Sequence, residues 1–199
     1  MTEIDSSVKA NGVTAHLPDF PLVGIDELDP RVRTRLQAKI DRLGYLGGFF
    51  QVTAHQPEAL AAFIDYTDAT KHALPDDLAE IVAITVATAT GNEYELHQHE
   101  RLSVKLGLTK EWVAAVEQLA PDEAELSAEQ RASQRWVLAV LKNHGQNSEA
   151  ELRELVERLG HTTAIAIALM CGRYVAHATI ANSFGILSPV QSIFAVNDS

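Results

Sequence analysis

Leu74-Pro75-Asp76-Asp77-Leu78-Ala79-Glu80-Ile81-Val82-Ala83-Ile84-Thr85-Val86-Ala87-Thr88-Ala89-Thr90 is the stretch on which the fold class turns. Its body is rich in Ile, Val and Thr, the composition of a buried strand. The Pro-Asp-Asp opening reads the other way, because acids in a first turn meet the positive end of a helix dipole. Length decides in favour of a buried helix, since strands rarely run so far without a break. With this segment helical, no stretch of the chain pairs alternating residues with hairpin turns, and the fold class expected is all-α, with about seven to nine helices.

The neighbouring segments carry helix signals of their own. Asp29-Pro30 places a cap before a proline, and Val32, Leu36, Ile40 and Leu43 follow at helical spacing. Gly44 and Gly47-Gly48 punctuate, and Gln56-Pro57 opens the next helix. After Gly91, a helix is expected from Asn92 to Leu106, stopping at Gly107. Thr109 caps a short one, and Ser127-x-x-Gln130 and Ser148-x-x-Glu151 read as capping boxes. The last helix, Thr163 to Phe184, is apolar on most sides and should be central. Residues 1–28 show no period and read as an arm, leaving 29–199 as one helical domain.

The chain has 199 residues and a formal net charge of -11, with 27 acids against 16 Lys plus Arg. That balance argues against a nucleic-acid partner, which needs basic residues gathered on one face. A single cysteine, Cys171, excludes an intramolecular disulfide framework and a Cys-x-x-Cys redox pair. The first residues lack a signal-peptide pattern, and the best apolar run, Ala164 to Leu187, is broken by Arg173, His177 and Asn182. The expectation is a soluble, cytoplasmic protein without a membrane partner.

Polar density peaks at Gly91-Asn92-Glu93-Tyr94-Glu95-Leu96-His97-Gln98-His99-Glu100-Arg101. On a helix, Asn92, Glu95 and His99 form one line, and Tyr94, His97 and Arg101 a second. Acid and base groups on one stripe suit proton transfer at a substrate carbon. Glu80, among apolar neighbours on the preceding helix, would be a desolvated base poised nearer neutrality if it faces inward. The plainer alternative makes Glu95 and His99 a surface i, i+4 pair and Glu100 a solvated partner of Arg101. Zinc on Glu95, His97 and His99 is disfavoured, because positions 97 and 99 point roughly 160–200° apart on a helix. Arg173 and His177, one turn apart on the last helix, either hold an anionic substrate group or satisfy backbone carbonyls and an acid. Cys171, in an apolar helical stretch, reads as a buried inert thiol.

Tyr45 to Glu58, Leu74-Pro75, Glu80-Ile81-Val82, Gly91 to His99 and Gly107-Leu108-Thr109, in that order and spacing, resemble the carboxymuconolactone decarboxylase and alkylhydroperoxidase D superfamily. The likeness covers residues 30–119 well and extends more loosely through Arg173-Tyr174 and Ala181 to Ile186. The peroxidase branch places a glutamate at Glu80, a Cys-x-x-Cys pair at Asn92 and Glu95, and a histidine at His99. Both cysteines are replaced here, which removes the thiol chemistry of that branch. The decarboxylase branch lacks the pair and keeps the histidine, with a glutamate four residues before it.

The resemblance therefore implies a cofactor-independent lyase or isomerase acting on a small organic acid or lactone, with neither metal nor flavin. Glu80 and His99 would be the acid–base pair and Glu95 the group that orients His99. Asn92, Tyr94, Arg101, Arg173 and His177 are the candidates for substrate binding. It also implies a homotrimer or homohexamer, with the pocket near a subunit contact. The alternative is a binding member of the superfamily without catalysis.

Overall fold

A computed structural model describes residues 20–195 of the chain. Most of the arm expected over 1–28 therefore lies outside the described residues. A 3-10 turn, Ile25–Glu27, leads into eight helices: α1 (Pro30–Leu43), α2 (Gly48–Thr53), α3 (Pro57–His72), α4 (Asp76–Thr90), α5 (Glu93–Lys105), α6 (Lys110–Glu117), α7 (Ala128–Asn143) and α8 (Glu149–Ser183). There is no β-sheet among the described residues.

The ambiguous stretch is the helix α4, and its composition has a simple cause. Every residue from Leu78 to Ala87 is buried, so β-branched side chains serve a helix that packs on all sides. It touches α5, α6, α7 and α8 and forms the axis of the fold. It ends at Gly91, whose left-handed backbone (φ 64°) turns the chain directly into α5.

The caps follow the sequence with one exception. Asp29 accepts from the Arg31 amide, Thr109 from Trp112, and Ser127 and Gln130 make the reciprocal box that starts α7. Ser148 makes no side-chain cap, so the second expected box is not formed. The backbone explains this: Ser148 sits at φ -122°, ψ 22°, not in the extended conformation of the capping serine Ser127 (φ -64°, ψ 164°). The helices expected before and after Gly160 run on as α8, broken where Gly160 takes φ 77°, ψ 166°. The six-residue α2 lies in the stretch that the sequence marks only by glycines.

Two apolar clusters result. One joins α4, α6, α7 and α8 around Ile84, Val113, Trp136, Ile167 and Met170. The other joins α1, α2 and α3 around Leu36, Phe49 and Ile64, and it reaches Tyr94 of α5 and Ala181 of α8. By length and composition α8 could cross a membrane, but 56% of that window is buried inside the fold.

Candidate active site

Between the two clusters, α4, α5 and α8 each turn polar side chains inward. Glu80, Glu95, His99, Arg173 and His177 are all buried, and they form one connected network. His99 Nδ1 lies 2.7 Å from Glu80 Oε2, and its Nε2 lies 3.0 Å from Glu95 Oε2. The ring is thus clamped between two carboxylates, one from each side. The Tyr174 hydroxyl is a further neighbour of Nε2, at 3.1 Å. Ser103 Oγ donates to Glu80 Oε2 at 3.2 Å. The second oxygen of Glu95, Oε1, receives His177 Nε2 at 2.8 Å and Arg173 Nη1 at 3.3 Å. Arg173 Nε also donates to Thr67 on α3, at 3.1 Å.

This arrangement sets the charges. Burial alone would push the His99 pKa down, but the Glu80 and Glu95 carboxylates outweigh it and raise the value above the ordinary 6.5. Burial likewise opposes charge on Glu95, yet His177, Arg173 and His99 hold its carboxyl well below the usual range. His177 goes the other way: burial lowers its pKa despite Glu95, with Arg173 and His99 repelling further charge. Its Nε2, 2.8 Å from Glu95 Oε1, is the ring nitrogen placed to donate there. Its Nδ1 has no partner among the described residues, and its ring stacks on Phe49 with centroids 3.8 Å apart.

A cavity of about 630 Å³ opens against one side of this network. Glu95, His99, Arg173 and His177 line it, whereas Glu80 does not. Glu80 stands behind the ring, and Glu95, expected to orient or charge His99, faces the open space. Tyr94 lines the cavity wall, and its hydroxyl lies so close to Gly47 that a Cβ there would meet it at 2.5 Å. Asn92 is instead the buried cap of α5, accepting from the Glu95 amide at 3.3 Å. Arg101 sits at the mouth and donates twice to the Gln191 carbonyl, at 3.1 and 2.7 Å.

Glu100 is buried rather than a solvated partner of Arg101, and it accepts from the Ile193 amide at 2.6 Å. His97 contacts the Val190 carbonyl at 3.3 Å. Together with Arg101, these side chains fasten segment 190–193 beside the cavity. Cys171 is buried and does not line the cavity, and burial pushes its thiol up to about 11. A thiolate is thus disfavoured.

A sequence model of the carboxymuconolactone decarboxylase family matches residues 57–137, which span α3 to α7 and include Glu80, Glu95 and His99. Over that stretch the chain is similar to the carboxymuconolactone decarboxylase family. Among solved structures, it is similar to an alkylhydroperoxidase AhpD core, an uncharacterised peroxidase-related protein from Ralstonia eutropha JMP134. That likeness has a TM-score of 0.75 at 22% identity, over 85% of this chain and 90% of the other. The debrominase Bmp8, in complex with 2,3,4-tribromopyrrole, gives a TM-score of 0.73 at 14% identity, over 86% and 91% of the two chains. A protein of unknown function from Agrobacterium tumefaciens gives 0.62 at 16%, over 70% and 96%. These likenesses show the fold. No curated protein sequence matches the chain. Within the superfamily frame, Arg173, Tyr174 and His177 lie outside the matched stretch, so the site is completed by α8.

Sequence reasoning missed Ser103 and Tyr174 as partners of the network. Ser103 lies one turn beyond His99, and that i, i+4 spacing was the available signal. Tyr174 had no such signal, because its place beside His99 depends on how α8 crosses α5.

Proposed function

We propose that the chain is a cofactor-independent lyase or isomerase that acts on an organic acid or lactone by proton transfer through His99. The observation that supports this most directly is the clamped ring: a buried imidazole held between two carboxylates at the wall of a cavity. In decarboxylation, the carbon–carbon bond to the substrate carboxylate breaks and carbon dioxide leaves. The electron pair delocalises into a neighbouring carbonyl as an enolate, and His99 Nε2–H delivers a proton to the carbon. Glu95, which shares that proton and faces the cavity, relays its replacement from solvent. Glu80 is a positioning residue, holding Nδ1 and keeping the ring charged. Isomerisation uses the same groups without loss of carbon dioxide.

The test is turnover of His99→Ala and Glu80→Gln against a panel of lactones and β-keto acids. His99→Ala should lose about 10²–10⁴-fold in rate. Glu80→Gln should move the alkaline limb of the pH–rate profile to lower pH, a shift that a purely structural role would not produce. Unchanged turnover in both variants would sink the assignment.

A second reading, a binding member without catalysis, is favoured by one fact. Both ring nitrogens of His99 already have partners within the protein. That reading expects no turnover in the wild type across the whole panel. Assembly with further copies of the chain is part of the proposal in either case. An apolar strip along α8 supports it, with Ile165 62% and Leu169 46% exposed. Sedimentation that returns only monomer at micromolar concentration would remove it.

A further inference from the structure

The cavity wall has an unusual charge for this chain. Lys39, Arg42, Lys71, Arg101, Lys105 and Arg173 line it, and among the described residues Glu95 is the one acid that does. More than a third of the 16 basic residues of a chain with net charge -11 therefore gather around one space. Among the described residues, only Arg173 of these six is ion-paired, to Glu95. Arg101 holds the Gln191 carbonyl, and Lys39, Arg42, Lys71 and Lys105 make no ion pair among the described residues.

They also fall into two places. Lys39 on α1 and Lys71 on α3 share the cavity wall with Glu95, His99 and Arg173, whose charges both lysines feel, with Asp68 adding attraction to both and Glu80 to Lys71. Lys39 reaches over the Phe50 ring, 4.8 Å from its centroid. Burial, and then repulsion from Lys71, bring its pKa down to about 8. At the other end, Arg101 and Lys105 are one turn apart on the cavity face of α5, and Arg42 lies at the end of α1. From His99 to Lys105 the helix rises about 9 Å. The same wall carries the apolar side chains Leu36, Ile40, Leu43 and Leu102. The volume fits a ligand larger than a simple lactone.

We propose that the cavity takes an extended substrate with two anionic groups joined by an apolar frame. One anion lies over Lys39 and Lys71 beside His99, and the other lies at the mouth on Arg101 and Lys105. Arg173, turned toward Glu95 and Thr67, is a positioning residue rather than the main anion holder. This specifies the substrate class for the acid–base site proposed above and rests on that reading for its catalytic sense. The binding geometry stands apart from it. The global negative charge then repels polyanions everywhere except at this opening, so the local cations select the ligand.

Calorimetry with substrate-shaped probes tests it, using the whole chain at low ionic strength and pH 7. Suberate should bind at least about tenfold more tightly than hexanoate or succinate, because only suberate reaches both ends. Lys105→Glu, at an exposed residue, should remove most of the suberate advantage and leave hexanoate unchanged. Lys71→Gln should weaken both. 6-Phosphonohexanoate in place of suberate distinguishes a remote phosphate-like group from a remote carboxylate, and tighter binding of either is consistent with the proposal. At pH 8, binding should take up protons as Lys39 becomes charged. Equal affinity for hexanoate and suberate, or equal loss of both in Lys105→Glu, would overturn it. Intact suberate binding with no turnover of any acid would defeat the catalytic reading and leave this one standing.

Discussion

Around α4, α6, α7 and α8 the interior is mostly dry, with Ile84, Val113, Ile167 and Met170 fully shielded. Around α1, α2, α3 and the first turns of α5, the apolar cluster is smaller and ends in a cavity rimmed by cations. The charged network lies along the seam, with its ligands taken from both sides: Glu80 and Tyr174 from the dry half, Lys39 and Lys71 from the open half. The dry half gives α4 and α8 fixed positions. The open half supplies space and cations, and the first turns of α5 bring Glu95 and His99 to its cavity.

Substitutions on either side of that seam should behave differently. Glu95→Ala leaves Arg173 and His177 facing each other without their shared carboxylate, and it should cost about 3–5 kcal/mol in denaturant unfolding. Ile84→Ala, in the dry half, should cost a comparable about 2–5 kcal/mol through cavity formation. What separates the two is pH. The Glu95 pKa is depressed in the fold, so its contribution is present above its ordinary value of 4.5 and is lost as pH falls through the lower folded value. The gap between wild type and Glu95→Ala should close in acid, while the gap to Ile84→Ala stays nearly constant. Parallel curves would contradict the ionised seam.

Gly47→Ala comes next, at about 1–3 kcal/mol, because its Cβ would meet the Tyr94 hydroxyl of a buried, stacked ring. Tyr94→Phe should relieve most of that cost in the double variant, measured by thermal unfolding. The smallest effects concern caps. Ser127→Ala should cost about 1 kcal/mol. Ser148→Ala, which removes no cap bond, should stay within about 0.5 kcal/mol. Equal losses at both serines would mean that the second capping box forms after all.

The dry half was largely legible in the sequence. The helix periods, the proline starts and the glycine stops at Gly91 and Gly107 are local signals, and α4, α5 and α6 follow them closely. The stripe Glu95–His99 was legible for the same reason, since one helix carries both residues. What the sequence did not disclose is convergence. Nothing local tells that Glu80 stands behind the ring while Glu95 faces the cavity, because that depends on the rotation of α4 against α5. The cations were hidden more deeply. Lys39, Lys71 and Lys105 lie on three helices far apart in the chain, within a composition whose overall sign points the other way. Segment 190–193, held by Glu100 and Arg101, is likewise a product of tertiary contact.

The account rests on His99 as a charged ring between two carboxylates, and nitrogen-15 NMR of the histidine side chains measures that directly. The raised pKa places the titration of His99 above 6.5, both ring nitrogens carrying protons below it. The stability due to that charge is complete below 6.5 and fades as pH climbs through the raised value, so His99→Gln should approach the wild type at alkaline pH. In the same spectra, Glu80→Gln should bring the His99 titration down, while His177 should titrate below 6.5. A His99 that titrates at or below 6.5, with one ring nitrogen bare at pH 7, would contradict the account.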